Sequence, residues 1–343
     1  MRAISILPPV AARLRLAPSP LARALFSARS WAGAWRRGPS RDGPSIAVIG
    51  NCQGRGVARS IELLCPGSRV TSLPTARLRR DFRDAETLAR ALSGHDLVVA
   101  QVLPDGLLPG GFPALQTGLP RLSVYPTFVF SAFHPDMIYV GHGGSREGFT
   151  PSPLGLYHSA LAVFGFLRGL DEARTLRLFR EDIFARLGYL DGWDASARAL
   201  LAAASADGCP VEREFLRWSR RGCFMHGINH PKLFVLGDVA RRLLVEARLP
   251  VRDVEPEAYL PDDLVRDVIW PVYPPLAERY GLPGSYLFKD KVRGSGPATL
   301  HDLPGFVAAS FRTYRATPRA RLDGPRMRAW AADPTVTALF DAA

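Results

Sequence analysis

"SIAVIGNCQGRG", residues 45–56, sets the fold class. Ile46–Ile49 is wholly apolar, and the run breaks off into glycines with a cysteine and a glutamine at the break. A short apolar segment without alternation is the pattern of a strand buried on both faces, and the glycines mark a tight turn before a helix over Val57–Leu64. The same texture continues downstream. Arg69–Leu73 reads as a second strand, and "DFRDAETLARALSG" (81–94) as an amphipathic helix opened by Asp81 and stopped by Gly94. "DLVVAQV" (96–102) is a third strand and "RLSVYPTF" (121–128) a fourth. Apolar strands separated by helices imply a small parallel sheet covered on both faces.

Beyond Pro151 the spacing turns helical, in "LGLYHSALAVFGFLRGL", "DEARTLRLFREDIFARLG", "DASARALLAAASA", "VEREFLRWSRR" and "PKLFVLGDVARRLLVEAR". The expected architecture is therefore α/β, a small parallel sheet followed by a predominantly helical C-terminal half. One domain is expected over residues 45–320, its sheet part about 45–150 and its helical part about 151–320. Residues 1–44 read as a basic N-terminal extension and 321–343 as a C-terminal helical tail.

The formal charge of +12 has a location: residues 1–41 hold eight arginines and no acid. The body is only mildly basic, which favours anionic ligands but gives no argument for nucleic acid. The extension has the composition of a transit peptide, no apolar run that spans a bilayer, and Leu, Phe and Trp interleaved with Arg, which suits weak contact with an anionic membrane surface. Three lysines against 41 arginines fit a GC-rich bacterial genome. Cys52, Cys65, Cys209 and Cys223 show no Cys-x-x-Cys pairing, so neither a zinc site nor a disulfide scaffold is expected. A cytoplasmic protein without a metal, peripheral at most to the inner membrane, is the expectation.

"GNCQGRG" (50–56) sits where an open parallel sheet binds its ligands, beyond the carboxyl end of a strand. It lacks both the Gly-x-Gly-x-x-Gly spacing of a dinucleotide loop and the Gly-Lys-Ser/Thr of a P-loop. What remains is an elbow bearing Asn51, Cys52 and Gln53. Free amides at a helix start stabilise a bound phosphate or a thiolate, and side-chain amides suit an oxyanion. The same cysteine would equally fill a turn as a small buried residue.

Two His-Pro segments supply candidate acid/base groups. "FHPDMIYV" (133–140) places His134 two residues before Asp136, and "MHGINHPK" (225–232) places His226, Asn229 and His230 before a helix. "GHGGSREGFTPSPLGLYHSAL" (141–161) offers a glycine-rich loop followed by Tyr157 and His158 as a pocket wall, and "IWPVYPPLAERYGLPGSYLFKDK" (269–291) an aromatic shelf with Lys289 and Lys291.

Taken together, Gly50-Asn51-Cys52-Gln53, His134-Pro135-Asp136, "SPLGLYHSA", "INHP" (228–231) and "WPVYPPLAERYGL" (270–282) resemble the WcbI-type polysaccharide-biosynthesis family over roughly residues 45–290. The resemblance implies a coenzyme A-dependent O-acetyltransferase acting on a sugar of a capsular or other surface polysaccharide or its precursor. On that basis Cys52, His134, Asp136 and His230 are the catalytic candidates, with His230 or His134 as base and Asp136 orienting the imidazole. Gly50, Asn51, Gln53, Arg55, Asn229, Lys289 and Lys291 are the oxyanion and cofactor candidates. Tyr157, His158 and His226 are expected in the substrate pocket, with acetyl-CoA and a glycan acceptor as partners. The start is also similar to SGNH hydrolases and acyltransferases, although Cys52 replaces their serine and no Asp-x-x-His segment closes the chain. Cys52 as an acyl-enzyme nucleophile, as a partner of the cofactor thiol, or as pocket floor all stay open. So do two other functions, a thiol esterase of the same elbow type and a non-enzymatic glycan- or nucleotide-binding accessory protein.

Overall fold

Ile46, Ala47, Val48 and Ile49 are completely buried in the computed structural model, which describes residues 43–143, 146–292, 294 and 296–343. They lie in β1 (Ser45–Gly50), an inner strand of a four-stranded parallel sheet. Its neighbours are β2 (Arg69–Pro74) on one side and β3 (Leu97–Ala100) on the other, with β4 (Leu122–Val124) beyond β3. Ile49 pairs with Leu73 and with Ala100, so both flanks of β1 are occupied, which is why its sequence carries no polar alternation.

The order β2-β1-β3-β4 has a functional consequence. From β1 the chain runs through α1 (Gly54–Leu64) outward to β2. It then returns through α2 (Thr75–Asp81) and α3 (Ala85–Leu92) to β3 on the opposite side. The connections diverge between β1 and β3, and that divergence opens a crevice at the carboxyl ends of the two strands.

Two expected boundaries move. The helix assigned to 81–94 starts at Ala85, because the Asp84 carboxylate accepts the Thr87 amide at 2.8 Å while Phe82 is extended; "TARLRRD" forms its own helix, α2. The fourth strand stops at Val124, two residues before Pro126, which has no N–H to continue a ladder.

The helical half follows α4 (Gly111–Gly118) and a short β5 (Met137–Ile138) paired with β6 (His158–Ser159). Its first helix, α5 (Ala160–Leu167), is apolar all round and almost entirely buried. The segment 171–188 gives two helices, α6 (Glu172–Leu176) and α7 (Glu181–Arg186), separated by an extended Arg180. Then come α8 (Trp193–Ala206), α9 (Glu212–Arg220), the irregular pair β7 (Met225–Gly227) and β8 (His230–Pro231), and α10 (Leu233–Glu246). A Cβ on Gly56 would meet Leu236 Cδ1 at 2.4 Å, so glycine permits the close approach of α1 to α10. After α11 (Pro274–Tyr280), β9 (Phe288–Lys289), β10 (Leu300–His301) and α12 (Leu303–Arg315), the terminal segment forms α13 (Pro325–Ala332) and α14 (Pro334–Asp341). Trp330 and Phe340 seat these two helices on Phe164 of α5, with ring centroids 5.5 and 4.7 Å apart. The basic extension, apart from residues 43 and 44, lies outside the described residues. Among the described residues no helix is long and apolar enough to cross a membrane.

Candidate active site

The β1–β3 crevice is built by packing constraints on the elbow. Gly50 has no alternative: a Cβ there would lie 2.2 Å from the Tyr125 hydroxyl. The Asn51 amide donates to Gln101 Oε1 at the end of β3 (2.8 Å), and Asn51 Oδ1 accepts the Gln53 amide (2.9 Å). These bonds turn the chain sharply and leave Cys52 exposed at the tip. Desolvation, and then the Asp267 carboxylate, raise the thiol pKa, while the Cys52 and Gln53 amides at the helix start and Lys291 pull it down. The raising influences win, so Cys52 rests as a thiol.

Gln53 does not have the expected role. It is fully buried, and its amide is saturated. Nε2 donates to the carbonyls of Phe128 and Asn229 (both 2.9 Å), while Oε1 accepts from the Phe128 amide (3.1 Å) and Gln101 Nε2 (3.3 Å). No donor is left for an oxyanion, so Gln53 is a cross-link. Asn51 differs: its Oδ1 is tied down, and its Nδ2 donates to none of the described residues. It remains the side-chain donor at the elbow.

The Gln53–Asn229 bond draws the β7–β8 hairpin to the elbow and brings His230 with it. Tyr157 donates to Asn229 Oδ1 (2.9 Å) and stands 3.4 Å from His230 Nε2; Asn229 Nδ2 donates to the Tyr139 hydroxyl (3.0 Å). His230 is buried, and desolvation lowers its pKa although Asp267 acts in the opposite sense. Its Nδ1 has no hydrogen-bond partner. The imidazole is thus neutral at neutral pH and able to accept a proton. Asp267, which the sequence did not single out, reaches the same place. Lys291 Nζ lies 2.9 Å from its Oδ2, the Val268 amide donates to Oδ1 (2.9 Å), and Lys289 Nζ donates to its carbonyl (2.6 Å). The signal for it in "VRDVIWPVYP" was a single carboxylate beside the aromatic shelf, too slight to rank against the other acids.

The expected site residues separate into two groups. Cys52, Asn51, Asn229, His230, Tyr157 and Lys291 come together at the crevice. His134, Asp136, His158 and His226 serve the scaffold instead. His134 is buried with neither ring nitrogen hydrogen-bonded, and desolvation lowers its pKa to about 3, so it cannot act as a base on solvent-facing substrate. Asp136 orients no imidazole: Oδ1 accepts from the Leu161 amide (2.9 Å) and the Tyr189 hydroxyl (3.0 Å), and Oδ2 from Tyr273 (2.8 Å), which fixes the start of α5. His158 is sealed between the Thr150 carbonyl (2.9 Å) and the Tyr314 hydroxyl (3.2 Å) and forms no pocket wall. His226 Nε2 lies 2.8 Å from Asp262 Oδ2, which also accepts the Leu233 amide, so this pair anchors the start of α10. Lys289 spends its ammonium on the carbonyls of Asp267 and Asp290 and does not fit a phosphate role. Arg55 shares Asp263 with Arg59, each at 3.0 Å, and its side chain is 69% exposed. Among the described residues no group of three or more His, Cys, Asp or Glu side chains is placed to hold a metal.

The family model described as polysaccharide biosynthesis enzyme WcbI matches residues 45–252, more than half of the chain. The chain belongs to the WcbI family. The matched span holds the sheet, the elbow and the His230 hairpin, whereas Asp267 and Lys291 lie beyond it. No curated protein and no solved structure matches the chain. Membership makes it an enzyme of polysaccharide biosynthesis.

Proposed function

We propose that this WcbI-family enzyme transfers an acetyl group from coenzyme A to a sugar hydroxyl of a surface polysaccharide or its precursor. The observation that supports it best is the meeting, at the switch point of the sheet, of an exposed thiol, unspent amide donors and a neutral imidazole. Acetyl-CoA would supply the thioester acyl group. The chain's own residues fit such a donor: Arg55 and Lys291 are more than half exposed, each in one ion pair, and Arg59 keeps Asp263 neutralised if Arg55 turns to a phosphate.

His230 takes the proton of the acceptor hydroxyl as its oxygen bonds to the acyl carbon, and returns that proton to the departing sulfur as the C–S bond breaks. The Cys52 amide and Asn51 Nδ2 face the oxygen on which charge develops. Cys52, held as a thiol, lines this position as a weak hydrogen-bond donor; a resting thiolate nucleophile, which the esterase alternative would use, is disfavoured by its surroundings. Titration calorimetry with coenzyme A is the direct test. Binding in the micromolar range, weakened in Arg55→Ala, is expected. Absence of heat at millimolar coenzyme A with folded protein, or turnover of an activated ester without coenzyme A that is lost in Cys52→Ala, would overturn the proposal.

A further inference from the structure

Tyr139 follows β5 by one residue and Tyr157 precedes β6 by one. The two strands pair antiparallel, Ile138 with His158, so the tyrosines face each other just beyond the ladder. Their ring centroids are 5.0 Å apart, and Tyr139 also packs on Phe149 at 5.1 Å. Asn229 bridges the two hydroxyls. Its Oδ1 accepts from Tyr157 (2.9 Å), its Nδ2 donates to Tyr139 (3.0 Å), and its carbonyl is held by Gln53 of the elbow (2.9 Å). An amide accepts at one end and donates at the other, so this bridge has a direction. Tyr157 spends its single proton on Oδ1. Tyr139 is left as an acceptor, and its own O–H donates to none of the described residues. The Tyr157 hydroxyl acts on it in the same sense, as a donor to its oxygen. Burial raises the Tyr139 pKa, so it is a phenol at neutral pH, and the bond it accepts makes its O–H a stronger donor. Tyr157 and His230 are buried, whereas Tyr139 and Phe149 are half-buried, within reach of an incoming ligand.

We infer that Tyr139 binds the sugar substrate, donating its hydroxyl proton to a sugar oxygen beside the apolar surface of Phe149, with Asn229 setting the direction of that donor. A pyranose offers the matching chemistry, a face of C–H groups bordered by hydroxyl and ring oxygens that accept hydrogen bonds. Membership of a polysaccharide-biosynthesis family supplies the ligand class, and the inference rests on the acetyl-transfer reading only in making this sugar the acyl acceptor. A donor fixed in advance costs little ordering on binding, and it selects among sugars by where an oxygen stands. A sugar whose oxygen lies elsewhere leaves the O–H unpaired in the complex.

Saturation-transfer NMR tests the contact without turnover, using the methyl glycosides of glucose, galactose, mannose and N-acetylglucosamine, each titrated to a dissociation constant. The wild-type protein should bind at least one of them in the millimolar range. Tyr139→Phe keeps the ring and its packing, and should weaken that glycoside about threefold to tenfold, the contribution of one neutral hydrogen bond. Coenzyme A affinity in the same variant should not change. Asn229→Asp puts an acceptor where Nδ2 stood and draws the Tyr139 proton inward. It should weaken the glycoside to a similar degree, and the two losses should not add in the double variant. If a glycoside is acetylated, Tyr139→Phe should raise its KM by the same factor and leave kcat little changed. The inference is overturned if the wild type binds none of these glycosides or if Tyr139→Phe binds them undiminished. A loss confined to Tyr157→Phe also overturns it, because the bridge would then run in the opposite direction, and additive losses would remove Asn229 from its directing role. Weaker glycoside binding in Tyr139→Phe, with no coenzyme A binding in the wild type, would leave it standing and sink only the proposed acyl donor.

Discussion

His134-Pro135 and His230-Pro231 are the same dipeptide in two settings. Both imidazoles are buried, and burial lowers the pKa of each. The charges that face them differ. His226 and Lys232 push the His134 proton off further, opposed only by the backbone of Pro271 and Met225, and neither ring nitrogen meets a side-chain partner. His230 is also pushed down by His226 and Lys291, but Asp267 pulls the other way more than either does, and its Nε2 meets a tyrosine that is itself tied to Asn229. Residue type and local sequence make both candidates for general base. What differs is the surroundings of each ring, and Asp267 is the one carboxylate that acts on His230. Acid/base capacity here belongs to the set of groups facing the ring rather than to the ring.

The sharpest way to break this contrast is to remove each imidazole in turn. His230→Ala should lower coenzyme A-dependent acetyl transfer by about 10²–10⁴-fold, the usual contribution of a positioned general base, while His134→Leu should leave the rate within a few-fold of wild type. Equal losses in a mass-spectrometric transfer assay would refute the division. Next in size is Asp136, the carboxylate beside His134 in sequence. Asp136→Ala strips an acceptor from the Leu161 amide and from the Tyr189 and Tyr273 hydroxyls, leaving three buried donors unpaired, and should cost about 3 kcal/mol or more in urea unfolding. Loss of activity at unchanged stability would instead return Asp136 to the catalytic set.

The most gradual effect is one of pH. His134 and His158 have folded pKa values near 3 and 4 against 6.5 when unfolded, so below pH 6.5 the unfolded chain binds protons that the folded chain does not. Stability should be full above pH 6.5 and fall as the pH drops toward 4, by at most about 1.4 kcal/mol per pH unit for each such histidine. His134→Leu should make the decline of melting temperature with acid shallower. A slope identical to wild type would mean that His134 is protonated in the folded protein.

The sequence disclosed the sheet because β1 and β3 are buried on both faces, and burial of that kind leaves an unbroken apolar run. It disclosed the elbow because a backbone that passes the Tyr125 hydroxyl at 2.2 Å from any Cβ must be glycine. The split of 171–188 into two helices was not visible, since Arg180 is extended with no Gly or Pro at the break. Nor was the division of the histidines. His158 and His226 look functional in one dimension, and their partners Tyr314 and Asp262 are 156 and 36 residues away. Asp267 was missed for the same reason: its charge acts on Cys52 and His230 from a distant part of the sequence, which spacing does not encode.

Gln53 carries one more consequence. Its side chain is satisfied only when Phe128 and Asn229 have arrived, the second from 176 residues downstream. Closing so long a loop is among the slower events of folding, because the chain entropy is lost before the contact is gained. The tip that presents the sulfur therefore depends on a contact made across most of the chain. A chain lacking the hairpin would leave the Gln53 amide without Asn229 and the thiol unaimed, which makes competence a property of the completed fold.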